Sequence, residues 1–366
     1  MDVPPGGRMA RAPGADRPQR CDVSRACDPP HTWAVAESPT LSPVPTRVPP
    51  AHRLRPEPEA IFVVGVSRSG TTLMRNVLNS HSRIGIAPEN HFLGHLLPGE
   101  GARVRFGREG DLADDATIRR IVDRIYSPEF ASGSRLRPAS PYWRWVNRNV
   151  PRSDLEACLL AAERTERGIF DALLHAYANR RGKAVIGEKT PAHVGFADTL
   201  LEWYPGGRIV HMIRDPRGVF VSELRRRLET PTAVPYRWLV GIPPLFRAFV
   251  LLETAWAWSG AVRHHRELQR RHPDAYRLVR FEDMVRDPRA TIDALCGFLG
   301  VAVEPAMLEQ EVTSRGMQLG ESGFDAGAAD RWQASIGRRQ AAWLRRLLGR
   351  RIAEMGYEPA LTRTKP

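Results

Sequence analysis

The sequence predicts one α/β domain in three layers, a central and mainly parallel sheet with helices on both faces. Short apolar runs of strand length recur along the chain, as in Ile61 to Val64, Ile84 to Ala87 and Ile209 to Ile213, each leading through a turn into helical periodicity. These runs end in polar or charged residues, and the carboxyl ends of strands are where open α/β sheets bind ligands. The chain has 366 residues, enough for one large core with additions.

Residues 1 to 58 are rich in Pro, Arg and small residues and show no apolar period, so a disordered tail is expected there. The folded domain is expected over 59–358, followed by a tail at 359–366. Strands are predicted near 61–65, 84–87, 184–188, 208–213 and 276–281. Helices are predicted at about 71–81, 154–180, 194–203, 216–228, 246–271, 289–299 and 334–355. In the last of these, Trp343, Leu344, Leu347, Leu348 and Ile352 are expected on one packed side and arginines on the other.

The first strand leads into Gly65-Val-Ser-Arg-Ser-Gly-Thr-Thr72, and Leu73, Met74, Val77 and Leu78 continue it as an amphipathic helix. Such a turn aims free backbone N–H groups and the positive end of a helix dipole at one point. Ser67, Ser69, Thr71 and Thr72 add hydroxyls, Gly70 the tight turn and Arg68 a guanidinium, which makes an anion cradle for phosphate or sulfate. The outline is P-loop-like. Thr71, however, stands where a nucleotide P-loop requires lysine, and this weakens a triphosphatase or kinase reading.

A second strand end carries another cation. Arg214 follows Ile209 to Ile213, Asp215-Pro216 opens a helix, Ser222 lies two turns along it and Arg226 one turn further. Two anion sites on two strand ends suit one ligand bearing two phosphate groups.

These segments resemble the sulfotransferases that use 3′-phosphoadenosine 5′-phosphosulfate (PAPS), and come closest to the bacterial and tyrosylprotein-modifying branch. Residues 65–73 are similar to that family's 5′-phosphosulfate loop, and residues 209–222 to its 3′-phosphate motif, with Arg214 and Ser222 eight apart. Leu278-Val-Arg-Phe-Glu-Asp-Met-Val-Arg-Asp-Pro288 and Leu295 to Val301 are similar to its late strand and following helix. The resemblance spans about residues 60 to 301 and implies PAPS as co-substrate, in-line sulfuryl transfer to a hydroxyl of a small molecule, glycan or peptide, and no metal.

It also implies roles for particular residues. Lys189, in Val185-Ile-Gly-Glu-Lys-Thr-Pro191, matches the family's lysine that stabilises the leaving group; it is one of only three lysines in the chain. Glu89, as far from Arg68 as the family's glutamate is from its loop arginine, matches the base, and His91 is the alternative used by the small-molecule branch. Arg331 matches a basic donor-binding residue near the C-terminus, and the second leaving-group stabiliser is Ser314, Ser322 or neither. Phe281 stands where tyrosine-modifying members have a tyrosine. Residues 93–166 match nothing recognised, and Tyr142-Trp143-Arg144-Trp145 there reads as buried packing or, alternatively, an aromatic platform for acceptor.

The remaining features set limits. No stretch is long and apolar enough to span a bilayer and no secretory signal is visible, so a cytoplasmic location is expected. Cys21 and Cys27 lie in the tail and Cys158 and Cys296 in helical patterns, with neither zinc nor disulfide spacing. The net charge of +13 comes without a nucleic-acid-binding motif and suits steering of a polyanionic donor instead. The oligomeric state stays open. Two other readings compete with sulfuryl transfer: a nucleotide-dependent phosphotransferase, and a noncatalytic nucleotide-binding protein.

Overall fold

The computed structural model describes residues 56–94, 101–127, 143–229, 236–309 and 323–357, and the backbone alone of four short strands between them. The tail expected at 1–58 falls outside these residues save for its last three, as do the tail at 359–366, Cys21, Cys27 and Tyr142.

Strands β1 (Ala60–Gly65), β2 (Ile84–Ala87), β5 (Val185–Lys189), β6 (Arg208–Ile213) and β7 (Tyr276–Arg280) form one wholly parallel sheet in the order β2-β5-β1-β6-β7. The pairs β3 (Gly133–Ser134) with β4 (Arg137–Pro138) and β8 (Glu311–Ser314) with β9 (Met317–Ser322) are small antiparallel hairpins, neither expected from the sequence.

Alternation along β1 explains the layers. Ala60, Phe62 and Val64 pack on one side, with Phe92, Phe170, Leu200 and Tyr204. Ile61 and Val63 pack on the other, with Met74, Val77, Ile292 and Leu295. A strand buried on both faces reads as a continuous apolar run, as this one does. The helices Pro216–Glu229, Pro243–Arg271 and Arg338–Glu354 share a third core built on Phe220, Phe246, Trp258, Leu344 and Leu348.

Several expected boundaries are corrected. The helix expected over 154–180 is two helices, Arg152–Ala161 and Glu166–Asn179. Thr165 starts the second by accepting the Gly168 N–H, and a Cβ on Gly168 would lie 1.9 Å from the Glu163 carbonyl oxygen. A cap and a turn therefore override an apolar pattern that runs through both. The final helix breaks likewise into Trp332–Ser335 and Arg338–Glu354 at Ile336-Gly337. Leu344, Leu348 and Ile352 of this final helix are buried, whereas Trp343 and Leu347, expected to pack, are exposed. Phe281 opens the helix Phe281–Arg286 instead of ending β7. Trp143 and Trp145 are buried, so packing is their role in this fold. Among the described residues no helix is long and apolar enough to cross a membrane.

Thr165 supplies a test of this helix break. Thr165→Ala should lower stability in urea unfolding by about 1 kcal/mol and Thr165→Gly by only a few tenths, because glycine is itself tolerated at a cap.

Candidate active site

All five strands of the sheet run in parallel, so the segments after them emerge on one edge. The turn after β1 is held in an unusual backbone shape. Arg68 has φ 69° and Gly70 φ 87°, both left-handed, and a Cβ at Gly70 would meet the Phe281 ring at 2.5 Å. Glycine is required there on both counts. The helix Thr71–Ser80 begins with no side-chain cap, which leaves its first N–H groups for a ligand. The Ser69 hydroxyl is buried with no protein partner.

The turn after β6 meets this loop. Arg68 Nε donates to Ser222 Oγ at 3.0 Å, and Arg214 Nη1 donates to the Arg68 carbonyl at 3.4 Å. Arg214 Nη2 donates to the Ala328 carbonyl at 2.8 Å, its guanidinium lies 4.2 Å from the Phe281 ring centre, and its Nε is buried without a partner. Burial pulls the pKa of both arginines down; Glu223 partly counters this at Arg68 and Glu282 at Arg214. Desolvated guanidiniums with an orphaned donor are poised for a multiply charged anion.

A pocket of about 470 Å³ opens between these turns. Its walls include Arg68, Gly70, Thr71, Thr72, Arg214, Ser222 and Arg331 from the residues singled out in the sequence. Ser67 and Ser69 belong to the same loop but not to these walls. Arg226 is drawn to Glu223, and its neighbour Arg225 lines the pocket instead. Arg331 reaches the rim paired with Asp325. Phe281, singled out in the sequence at a position where related proteins have a tyrosine, is one apolar wall; Trp332 and Phe324 are two that sequence reasoning did not assign, and the aromatic residue beside Arg331 was the available signal. Ser314 and Ser322 lie on β8 and β9, whose side chains are outside the described residues.

Glu89 and Lys189 are brought together on the neighbouring strand ends. Lys189 Nζ lies 3.0 Å from Glu89 Oε2, and His91 Nε2 lies 2.7 Å from Glu89 Oε1. Burial pushes the Glu89 pKa up, but the Lys189 ammonium and the His91 hydrogen bond outweigh it and hold the carboxyl down at about 2. His91 thus contacts the carboxylate to which it was the alternative.

Behind this pair lies a buried polar cluster that the sequence reading missed. Glu188, adjacent to Lys189 and pointing to the other face, is fully buried between the Thr190 hydroxyl, which donates to it, and His193 Nδ1 at 2.6 Å. His193 Nε2 accepts the Leu93 N–H at 3.2 Å, so the ring proton sits on Nδ1 and points at Glu188. Thr190 Oγ1 accepts the Asn90 N–H, also at 3.2 Å. Glu188 thereby ties the lysine turn to the loop that carries Glu89 and His91. The available signal was a carboxylate inside an otherwise apolar strand, which must find partners when buried.

The family model of the sulfotransferase family matches residues 58–305. The chain belongs to the sulfotransferase family. It is 34% identical over 118 residues to human carbohydrate sulfotransferase 6, a stretch covering 27% of this chain and 26% of that relative, so the match spans about a quarter of the relative's length. The sulfotransferase domain of the Synechococcus PCC 7002 olefin synthase is 22% identical with a TM-score of 0.45, covering 82% of this chain and 94% of its own. Mouse sulfotransferase SULT7A1 complexed with PAP is 12% identical with a TM-score of 0.42, covering 81% of this chain and 86% of its own.

The Glu89 environment fixes a pH dependence. Its folded pKa of about 2 lies below its ordinary value of 4.5, so the stability it contributes is full above 4.5 and is lost as pH falls towards 2. Urea unfolding should show a steeper loss of stability for wild type than for Glu89→Gln across that interval. Parallel curves would mean that the carboxylate is not held by Lys189 and His91.

Proposed function

We propose that this sulfotransferase moves the sulfuryl group of PAPS to an acceptor hydroxyl by in-line displacement, with Glu89 as the base. The observation that carries the reading is the pocket in which the loop after β1 and Arg214 after β6 converge, with the carboxylate–ammonium pair on adjacent strand ends. An orphaned Arg214 Nε, an orphaned Ser69 hydroxyl and an uncapped helix start suit a ligand with two anionic ends. In this reading Arg214 and Ser222 hold the 3′-phosphate, and Arg68, Ser67, Ser69, Gly70, Thr71 and Thr72 cradle the phosphosulfate. Arg331 closes the rim, and Arg226, turned towards Glu223, adds positive field.

The chemistry has a clear balance. The acceptor O–H proton passes to Glu89 as its oxygen bonds to sulfur, and the bridging S–O bond breaks with its electrons on the 5′-phosphate. Lys189 and Arg68 stabilise the charge developing there. A carboxyl held near pKa 2 is a weak base, so Lys189 also sets its strength. An ammonium drawn towards donor phosphate leaves Glu89 with less to hold its pKa down, and burial then raises it. Lys189 in this way couples donor binding to base strength. These positive groups occupy the role that Mg²⁺ fills in kinases, and turnover is expected to survive chelation.

Donor recognition is tested by binding. Arg214→Ala should weaken adenosine 3′,5′-bisphosphate about tenfold or more while hardly changing adenosine 5′-phosphate. Equal losses for the two ligands would remove Arg214 from the 3′-phosphate.

The base is tested by kinetics. Glu89→Gln should keep bisphosphate affinity and lose about 10²–10⁴ in turnover, whereas His91→Ala should lose far less. In Lys189→Ala the acid limb of the kcat/KM profile should move to higher pH, because the lowering charge is gone and burial remains. An unmoved limb would mean that Lys189 does not set the strength of the base, and a dead His91→Ala beside an active Glu89→Gln would transfer the role to histidine.

A further inference from the structure

Among the described residues nine large apolar side chains are exposed, and eight lie on or between the helices of the layer built on Pro216–Glu229, Pro243–Arg271 and Arg338–Glu354. The long helix is apolar on two opposite sides. Val250, Thr254, Trp258 and Ala261 face the core, while Leu245, Phe249, Leu252 and Trp256 follow one another in steps of four, three and four on the other side, Phe249 half-buried against Tyr236 and the other three exposed. That outer ridge is about 17 Å long at 1.5 Å per residue. Leu252 is 57% exposed and Trp256 54%; Trp238, just before the helix, is 75% exposed. Seven residues beyond Trp256, on the same side, stands the exposed Arg263.

The neighbouring helix supplies the charge. On Arg338–Glu354, Arg339, Arg346 and Arg350 are exposed with Trp343 between them; among the described residues no ion pair joins Arg339 or Arg346 to an acid, while Arg350 shares the field of Glu354. Its one acid, Glu354, is taken by Arg266. On the long helix Glu253 is likewise occupied, by Tyr236 and Arg227. The face therefore combines three exposed tryptophans, an apolar ridge and more arginines than its single glutamate, Glu354, can answer. Patches of this kind mark contact surfaces, and tryptophan with arginine is the pairing suited to a lipid headgroup boundary. A second copy of the chain would bring arginine against arginine. The segment 1–55 has eight Arg against five Asp and Glu, so it too lacks the complementary charge.

We infer that this helical layer docks the protein on the surface of an anionic bilayer, lying at the headgroup boundary without crossing it. The proposal is independent of the donor and base assignments. The full chain should co-sediment with vesicles of phosphatidylcholine and phosphatidylglycerol, much less with phosphatidylcholine alone, and be released by high salt. The double variants Leu252→Glu with Trp256→Glu, and Arg346→Glu with Arg350→Glu, should each bind the mixed vesicles about tenfold or more weakly. Circular dichroism melts identify any variant that fails to fold; for the ridge, Trp256→Ser then serves in place of the glutamates. The proposal is overturned if wild type stays in the supernatant with mixed vesicles at low salt, or if folded variants bind as wild type does. It is also overturned if sedimentation equilibrium shows a dimer that the ridge variants dissolve while vesicle binding is absent.

Discussion

Arg214, through its guanidinium and its carbonyl, touches four parts of the chain that are far apart in sequence. It reaches the Arg68 carbonyl in the first loop and the Ala328 carbonyl near the C-terminus, and it stacks on Phe281 after β7. Its own carbonyl accepts the indole N–H of Trp258, at 2.9 Å, from the long helix. Just after it, Asp215 grips Arg217, and the Asp215 N–H donates to the buried Glu282, which also accepts the Tyr357 hydroxyl. A buried cation is tolerated only where dipoles and charges answer it, so these partners form a set. The pocket takes its shape from that set, because Arg68, Phe281 and Ala328 are held around one charge and Trp332 lies over the neighbouring Arg217 guanidinium.

A second polar centre, under β5, works by the same rule with opposite sign. Glu188 is fully buried, and its partners His193 and Thr190 in turn accept backbone N–H groups from the loop after β2. Neighbouring residues of a strand point to opposite faces, so Glu188 is turned inwards while Lys189 reaches the sheet edge and Glu89. A fully buried carboxylate and an ammonium paired with Glu89 thus stand side by side on one short strand. The cluster beneath Glu89 restricts where its carboxyl can sit, and the charges above set how strongly it holds a proton.

Parts of this were legible in the residues. The five strands of the sheet lie within a residue of their expected positions; β1 and β2, buried on both faces, leave unbroken apolar runs. The turn from Gly65 into the helix at Thr71 was also legible, because Gly70 allows the left-handed backbone that it needs. The helix breaks at Thr165 and Gly337 were less visible, since an apolar period can run through a break that a single cap or turn residue makes. Trp343 and Leu347 were misplaced because the period of a helix shows which residues share a side but not how much of that side a neighbour covers.

By itself the sequence determined the local character of the chain: which segments are strands, which strand ends carry cations, and which loop turns tightly into a helix. Those properties depend on residue type and spacing over a few positions. Only the tertiary structure decided that Arg225 and not Arg226 faces the pocket, that His91 and Lys189 both hold Glu89, and that Glu188 anchors the loop beside it. Each of these is set by the direction of a side chain and the burial of its partner, whether that partner lies a few residues along the chain or about a hundred away. Coulomb and hydrogen-bond energies depend on distance and desolvation, and these exist only once the sheet has brought its strand ends to a common edge.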